Sequence, residues 1–196
     1  MSRYGPERKA QTRQKILENA GRLFRGQGFA ATGIQGLMAE SELTVGGFYA
    51  HFESKEALFA EVFRRSLLQT RAMLLSGLED TRGVSFVAEV ARRYLSRVHR
   101  DHPAEGCALP ALAPELARQS DETKADFEVL FRQIVDDFEP HLPDRPATGL
   151  TRRDRALALA ALLVGGLTLS RAVKSKELSD RILLACRRFA VAEDTQ

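Results

Sequence analysis

The feature that most constrains this chain is the period of its apolar residues, which is helical from one end to the other. Ile16, Leu17, Ala20, Leu23 and Phe24 recur at i, i+1, i+4, i+7 and i+8, so they share one helical face. The same repeat returns in Leu58, Phe59, Val62, Phe63 and Leu67, and again in Phe86, Val87, Val90, Ala91, Tyr94, Leu95 and Val98. A further stripe runs through Phe127, Leu130, Phe131, Ile134, Val135 and Phe138. No segment alternates with period two for long enough to make a strand. The expected fold class is therefore all-α, with about nine helices. Capping residues and prolines mark the boundaries. Thr12 is placed to cap the first helix, and Gly26 and Gly28 to end it. His102-Pro103 stops the helix over 86–98, and Pro110 and Pro114 make 107–118 short and irregular. Residues 142–150 read as a loop. Thr151 to Asp154 resembles a capping box, and Ser179 is placed to cap a last helix carrying Ile182, Leu183, Cys186, Phe189 and Ala190.

Composition removes several function classes. The chain has 196 residues, 44% of them hydrophobic, enough for one ordinary domain or two small ones. Met1–Lys9 is polar and basic with no apolar stretch, so no secretory signal is expected. The longest apolar run, Ala156–Leu169, is shorter than the roughly 20 residues of a membrane span and contains Gly165-Gly166. A soluble, cytoplasmic protein with no membrane partner is the expectation. Cys107 and Cys186 are too few for a disulfide framework, which fits a reducing compartment. No nucleophile–base pair or Gly-rich phosphate loop stands out, so neither an enzyme nor a cofactor is expected. His99 and His102 with Cys107 do not complete a tetrahedral metal set, and Pro103 breaks the helix there, so no metal is expected.

The net charge of +3 is unevenly spread. Residues 1–33 hold Arg3, Arg8, Lys9, Arg13, Lys15, Arg22 and Arg25 against Glu7 and Glu18, a balance of +5, which leaves −2 for the rest. A basic head on a slightly acidic body directs the head towards a polyanion.

The informative stretch is Thr32–Phe52. Two short segments, 34–40 and 45–51, are joined by a tight turn at 41–43, with Ile34, Leu37 and Met38 closed over by Leu43 and Phe48. That is the pattern of a helix-turn-helix, a small unit whose second helix projects. Thr32 and Thr44 stand at the two N-cap positions, where free amides and the helix dipole favour phosphate. Thr44, Val45 and Gly46 open the second helix and are the candidate base readers, the methyls of Thr44 and Val45 matching a thymine methyl. Tyr49, His51 and Lys55 are candidate hydrogen-bond donors to phosphate. Gly46-Gly47 costs about 1 kcal/mol per glycine within a helix, a cost that close approach of the backbone to DNA would offset.

Leu43-Thr-Val-Gly-Gly-Phe-Tyr-Ala-His-Phe52, followed by Ser54-Lys-Glu-Ala-Leu58, resembles the signature of the TetR family of bacterial transcriptional regulators. It is especially similar to the branch written L-T-x-G-G-F-Y-x-H-F, over roughly residues 10–62. The resemblance implies an N-terminal three-helix DNA-binding domain (1–53) and a C-terminal helical domain for effector binding and dimerisation (54–196). It also implies double-stranded operator DNA of palindromic sequence, a homodimer through 151–174 and 179–192, and release of DNA by a small-molecule or electrophile effector. Two positions depart from the pattern. Glu42 stands where the family usually has glycine, and Gly46 lacks the polar side chain many members carry. A non-specific architectural DNA-binding protein is the competing expectation, opposed by the acidic body.

The body carries weaker signals. Gly106–Leu116 is similar to a segment of relatives that sense electrophiles or oxidants. Cys107 opens the helix expected over 107–118, where the dipole and nearby His99, Arg100 and His102 would lower its pKa. A buried apolar cysteine is the commoner alternative. Tyr94, Cys107, Leu112, Phe127, Phe131, Ile134 and Leu163 are the candidate pocket residues, and all are also ordinary core candidates.

Overall fold

A computed structural model describes residues 5–143 and 149–192. The order is α1 (Pro6–Gln27), α2 (Ile34–Glu40), α3 (Val45–Phe48), α4 (Lys55–Leu75), α5 (Gly83–Tyr94), α6 (Arg97–Asp101), α7 (Leu109–Leu116), α8 (Asp121–Phe138), α9 (Arg152–Ala172) and α10 (Lys176–Ala192). Among the described residues there is no strand, so the all-α class holds. The additional helix arises where the stripe over 86–98 divides. Leu95 leaves helical geometry at ψ 46°, and the Ser96 hydroxyl accepts the His99 N–H to start α6.

Several boundaries move from their sequence positions, each for a local reason. α1 starts at Pro6, a residue suited to a first helical position, and Thr12 lies inside the helix with its hydroxyl donated to Arg8 O. α7 starts at Leu109, so Cys107 precedes the helix rather than opening it. α10 starts at Lys176, with Ser175 Oγ accepting the Leu178 N–H. Ser179 is instead buried, donating to Ser170 O at 2.6 Å. The capping box forms as read: Thr151 Oγ1 accepts the Asp154 N–H, and Asp154 Oδ2 accepts the Thr151 N–H. Of the loop over 142–150, residues 144–148 lie outside the described residues.

The core is continuous from head to body. Ile16, Ala20 and Phe24 of α1 are wholly buried with Leu58 and Phe59 of α4, and Arg13 pairs with Glu61 across the same contact. In the body, α9 packs along α10 and against α7 and α8. A side chain at Gly166 would meet Cys186 Sγ at 2.8 Å, so this glycine sets the approach of α9 to α10, with Cys186 packed at the contact. By length and composition α9 could cross a membrane, but Ala156, Leu159, Ala160, Leu163, Gly166 and Leu167 are buried inside the fold. Its outer face stays open: Leu157 and Leu169 are exposed, as are Leu178, Leu184 and Phe189 of α10.

α2 ends in a Schellman turn. Leu43 N–H reaches Met38 O at 2.8 Å, Glu42 N–H reaches Ala39 O at 2.9 Å, and Glu42 takes the left-handed conformation at φ 57°. The departure at Glu42 therefore costs strain of about 1–2 kcal/mol. Its ion pair with Lys15 at 2.7 Å is solvent-exposed and offsets little of that. Glu42→Gly is expected to raise thermal stability by about 1 kcal/mol, a few degrees of melting temperature. A lowered melting temperature would show that the Lys15 pair outweighs the strain.

Candidate nucleic-acid interface and cavity

α3 is shorter than the segment 45–51. It covers Val45–Phe48, and the chain continues through a turn in which both His51 N–H and Phe52 N–H bond to Phe48 O. Two glycines in a four-residue helix give it little propensity of its own, and a single buried side chain holds it. Phe48 is wholly buried against Phe52 at 5.8 Å, and Tyr49 stands edge-on to it at 5.3 Å.

Around that anchor the surface is open. Thr44 is the N-cap residue, yet its hydroxyl makes no cap bond and is exposed. Val45 is 42% exposed and Tyr49 63%. A Cβ on Gly46 would meet nothing within 4 Å, and one on Gly47 only ordinary contacts, at 3.7 Å from Thr44 Oγ1 and 3.8 Å from Met38. Neither glycine has a positive φ. Nothing inside the described protein therefore requires glycine at 46 or 47. His51 is half-buried, with Nδ1 buried and without a partner. Burial, then Lys9 and Arg13, hold the ring below the usual histidine range.

Two of the anticipated contact residues are placed otherwise. Thr32 is buried, with its hydroxyl donated to Gly28 O at 2.8 Å, and Gly33 takes the N-cap position. Its side chain is turned away from the open surface. Lys55 Nζ lies over the Phe29 ring at 4.2 Å, close to the head but resting on an aromatic face. The basic balance of the head is also partly taken up internally. Arg13 pairs with Glu61, Lys15 with Glu42 and Arg22 with Glu40. All three carboxylates lie beyond residue 33, which is why a count over 1–33 overstates the free positive charge.

In the body, a small apolar cavity of about 30 Å³ is lined by Leu67, Thr70, Leu74, Tyr94, Cys107, Leu109, Phe131, Ile134, Phe138, Ala160, Leu163 and neighbours. Five of the anticipated pocket residues thus meet: Tyr94, Cys107, Phe131, Ile134 and Leu163. Leu112 is core away from the cavity, and Phe127 turns to Phe63 at 5.7 Å. The polar features are few. The Tyr94 hydroxyl is buried without a well-formed hydrogen bond, beside the Cys107 thiol. Burial pushes that thiol's pKa up, against the lowering by Tyr94, Leu109 and Thr70. The low-pKa thiolate expected from a helix start is therefore corrected: Cys107 precedes the helix and is desolvated.

His99 staples this wall. Its Nδ1 faces Tyr94 O at 2.8 Å, and its Nε2 accepts the Cys107 N–H at 3.0 Å, which fixes a neutral tautomer and leaves neither nitrogen for a metal. A side chain at Gly106 would lie 2.6 Å from the ring, so only glycine fits. Burial holds His99 below the usual histidine range. With a folded-state pKa below the unfolded value, its stabilisation is present above about pH 6.5 and is lost as pH falls towards the folded pKa. Melting temperature should fall more steeply between pH 6.5 and 5 in the native chain than in His99→Gln, and equal slopes would rule this out.

Residues 16–62 match the family model described as bacterial regulatory proteins, tetR family. The chain is 30% identical over 151 residues to the HTH-type transcriptional repressor DhaR of Mycobacterium sp. (strain GP1), covering 76% of this chain and 74% of that protein. Its fold is similar to a TetR transcriptional regulator from Chloroflexus aurantiacus J-10-FL, with TM-score 0.79, 21% identity and 97% of each chain covered. It is also similar to Escherichia coli NemR in the reduced form, with TM-score 0.74, 19% identity, and 92% of this chain and 95% of that one covered. At such identities these two structures share the fold.

Proposed function

This chain belongs to the TetR family of bacterial regulatory proteins, and from that premise we propose that it is a cytoplasmic repressor that grips a palindromic operator as a homodimer. One observation carries this reading: Thr44, Val45, Gly46 and Tyr49 are exposed around the buried Phe48, and the two glycines answer to no contact within the described protein. Thr44 and Val45 face base edges, the Gly46 backbone comes close to the duplex, and Tyr49 and His51 hold phosphates. Lys55 reaches a phosphate only by leaving the Phe29 ring, and Thr32 contributes through fixing the turn before α2. Residues 1–53 form the reading head and 54–196 the sensing body.

Dimerisation uses 151–174 and 179–192. The open faces of α9 and α10 carry Leu157, Leu169, Leu178, Leu184 and Phe189, with small residues Ala158, Ala161 and Gly165 allowing close helix approach. An apolar face of this kind is covered in a soluble protein by a second copy. The two α3 segments then enter successive major grooves about 34–36 Å apart.

The effector is a small, mostly apolar molecule that enters by widening this apolar cavity, whose volume of about 30 Å³ is far below that of an occupied ligand pocket, beside the Tyr94 hydroxyl and the Cys107 thiol. An electrophile is the other effector class the resemblance implies, and the burial and raised pKa of the Cys107 thiol oppose it. Equal release of operator by a thiol-reactive compound from native protein and Cys107→Ser would reject it. The function as a whole is tested by nuclease footprinting on DNA upstream of the chain's own gene. A protected two-fold site is expected, whereas uniform protection of any duplex with a steep salt slope would point to an architectural protein.

A further inference from the structure

α7 begins at the cavity and ends at the head. Cys107 and Leu109 line the cavity, and about two turns later Glu115 reaches the turn that leaves α1. Its Oε2 accepts the Phe29 N–H at 2.8 Å and its Oε1 accepts the Ala30 N–H at 3.3 Å. These amides follow the helix end at Gly28, whose φ of 91° carries the chain out of α1, so α1 itself offers them no carbonyl.

The gripped turn is itself well fixed. Thr32 donates to Gly28 O, and the Phe29 ring packs on Phe24 at 5.5 Å and on Phe59 at 4.8 Å under the Lys55 ammonium. A side chain at Gly28 would lie 3.3 Å from Glu115 Oε1, which leaves little room between turn and carboxylate. α2 starts immediately beyond, so the position of the turn is the position of the reading unit. A second tether joins the same two regions, with Arg25 Nε donating to Ala104 O at 2.6 Å just ahead of the cavity wall. Besides its packing on α4, the head is thus held by a short stretch, 104–116, that also lines the cavity.

We propose that Glu115 is a positioning residue for the regulatory response: its carboxylate, bonded to two backbone amides of the α1–α2 turn, carries displacement of α7 at the cavity to the DNA-reading head. A carboxylate accepting two amides is directional and charge-assisted, so a shift of α7 moves the turn rather than slipping past it. This rests on the reading that the chain binds an operator and releases it when the cavity is occupied. Coupling of this kind exists only where two sites share a two-state element, and α7 with its Glu115 clamp is that element.

A double-mutant cycle on operator affinity tests it without knowledge of the effector. Ala160→Leu, at a position that lines the same cavity as Leu109 of α7, adds an isopropyl group and mimics occupancy. Glu115→Gln keeps the shape and one acceptor while removing the charge and presenting an NH2 to the second amide. The expected result is about a tenfold loss of operator affinity from Ala160→Leu in the native chain and less than about twofold in Glu115→Gln, a coupling within the usual allosteric range. Equal losses in the two backgrounds, or no loss in the native chain, would overturn the proposal. Thermal melts accompany each variant, and Ala160→Val replaces Ala160→Leu if the larger residue unfolds the protein. Failure of the native chain to bind any operator shows before the cycle starts and overturns the reading beneath it together with the proposal.

Discussion

Leu169→Glu combined with Phe189→Glu is expected to convert the dimer into a folded monomer that binds operator at least about 100-fold more weakly. Leu169 on α9 is 59% exposed and Phe189 on α10 58%, on helices whose opposite faces are buried in the core. In the single chain both changes place a carboxylate in water and cost little. In the proposed dimer they would bring four carboxylates into the interface, where desolvation and like-charge repulsion act together. Loss of the dimer converts a two-headed grip into two separate weak ones, forfeiting an avidity of about 10²–10⁴. Analytical ultracentrifugation beside an operator titration checks both halves. A dimer that survives the double change would place the interface elsewhere.

Thr44→Ala with Tyr49→Ala should produce the other large effect, through contact rather than assembly. Thr44 has no cap bond to lose and Tyr49 packs only its ring edge on Phe48, so folding stability should change by no more than about 0.5 kcal/mol for each. Under the proposed assignment, the double change would remove a base-edge contact and a phosphate contact from each head on DNA. At about 1 kcal/mol or more per contact, four contacts in the dimer amount to at least about 100-fold in affinity. If Thr44 reads sequence while Tyr49 only positions, as proposed, the loss should fall on operator and non-operator DNA unequally.

Periodicity made the architecture legible because helical burial repeats every three or four residues whatever the partner, and the stripes at 16–24, 58–67 and 127–138 are core-facing in the structure. The splitting at Leu95 was not legible, since the apolar stripe runs on through Val98 while a serine cap and one non-helical residue interrupt the backbone. Caps misled for a related reason. Thr12 and Ser179 have the right chemistry, but hydroxyls also bond within helices, as Thr12 does to Arg8 O. The open surface at Thr44–Tyr49 and the strain at Glu42 follow directly from local chemistry. What local chemistry hides is pairing over long sequence separation: Glu61 taking up Arg13, His99 bonding to Cys107, and Glu115 holding Phe29 and Ala30. Cys107 shows the cost of that blindness. Its position near a helix start suggested a lowered pKa, whereas its burial, set by α4, α5 and α9, raises it.

The most direct test is a mobility-shift titration of the native chain and the Thr44→Ala/Tyr49→Ala chain on one footprinted duplex, with melting curves on the same samples. The expected result is an unchanged melt with the shift weakened at least about 100-fold. An unweakened shift from the doubly changed chain would contradict the assignment of Thr44–His51 as the element that reads DNA.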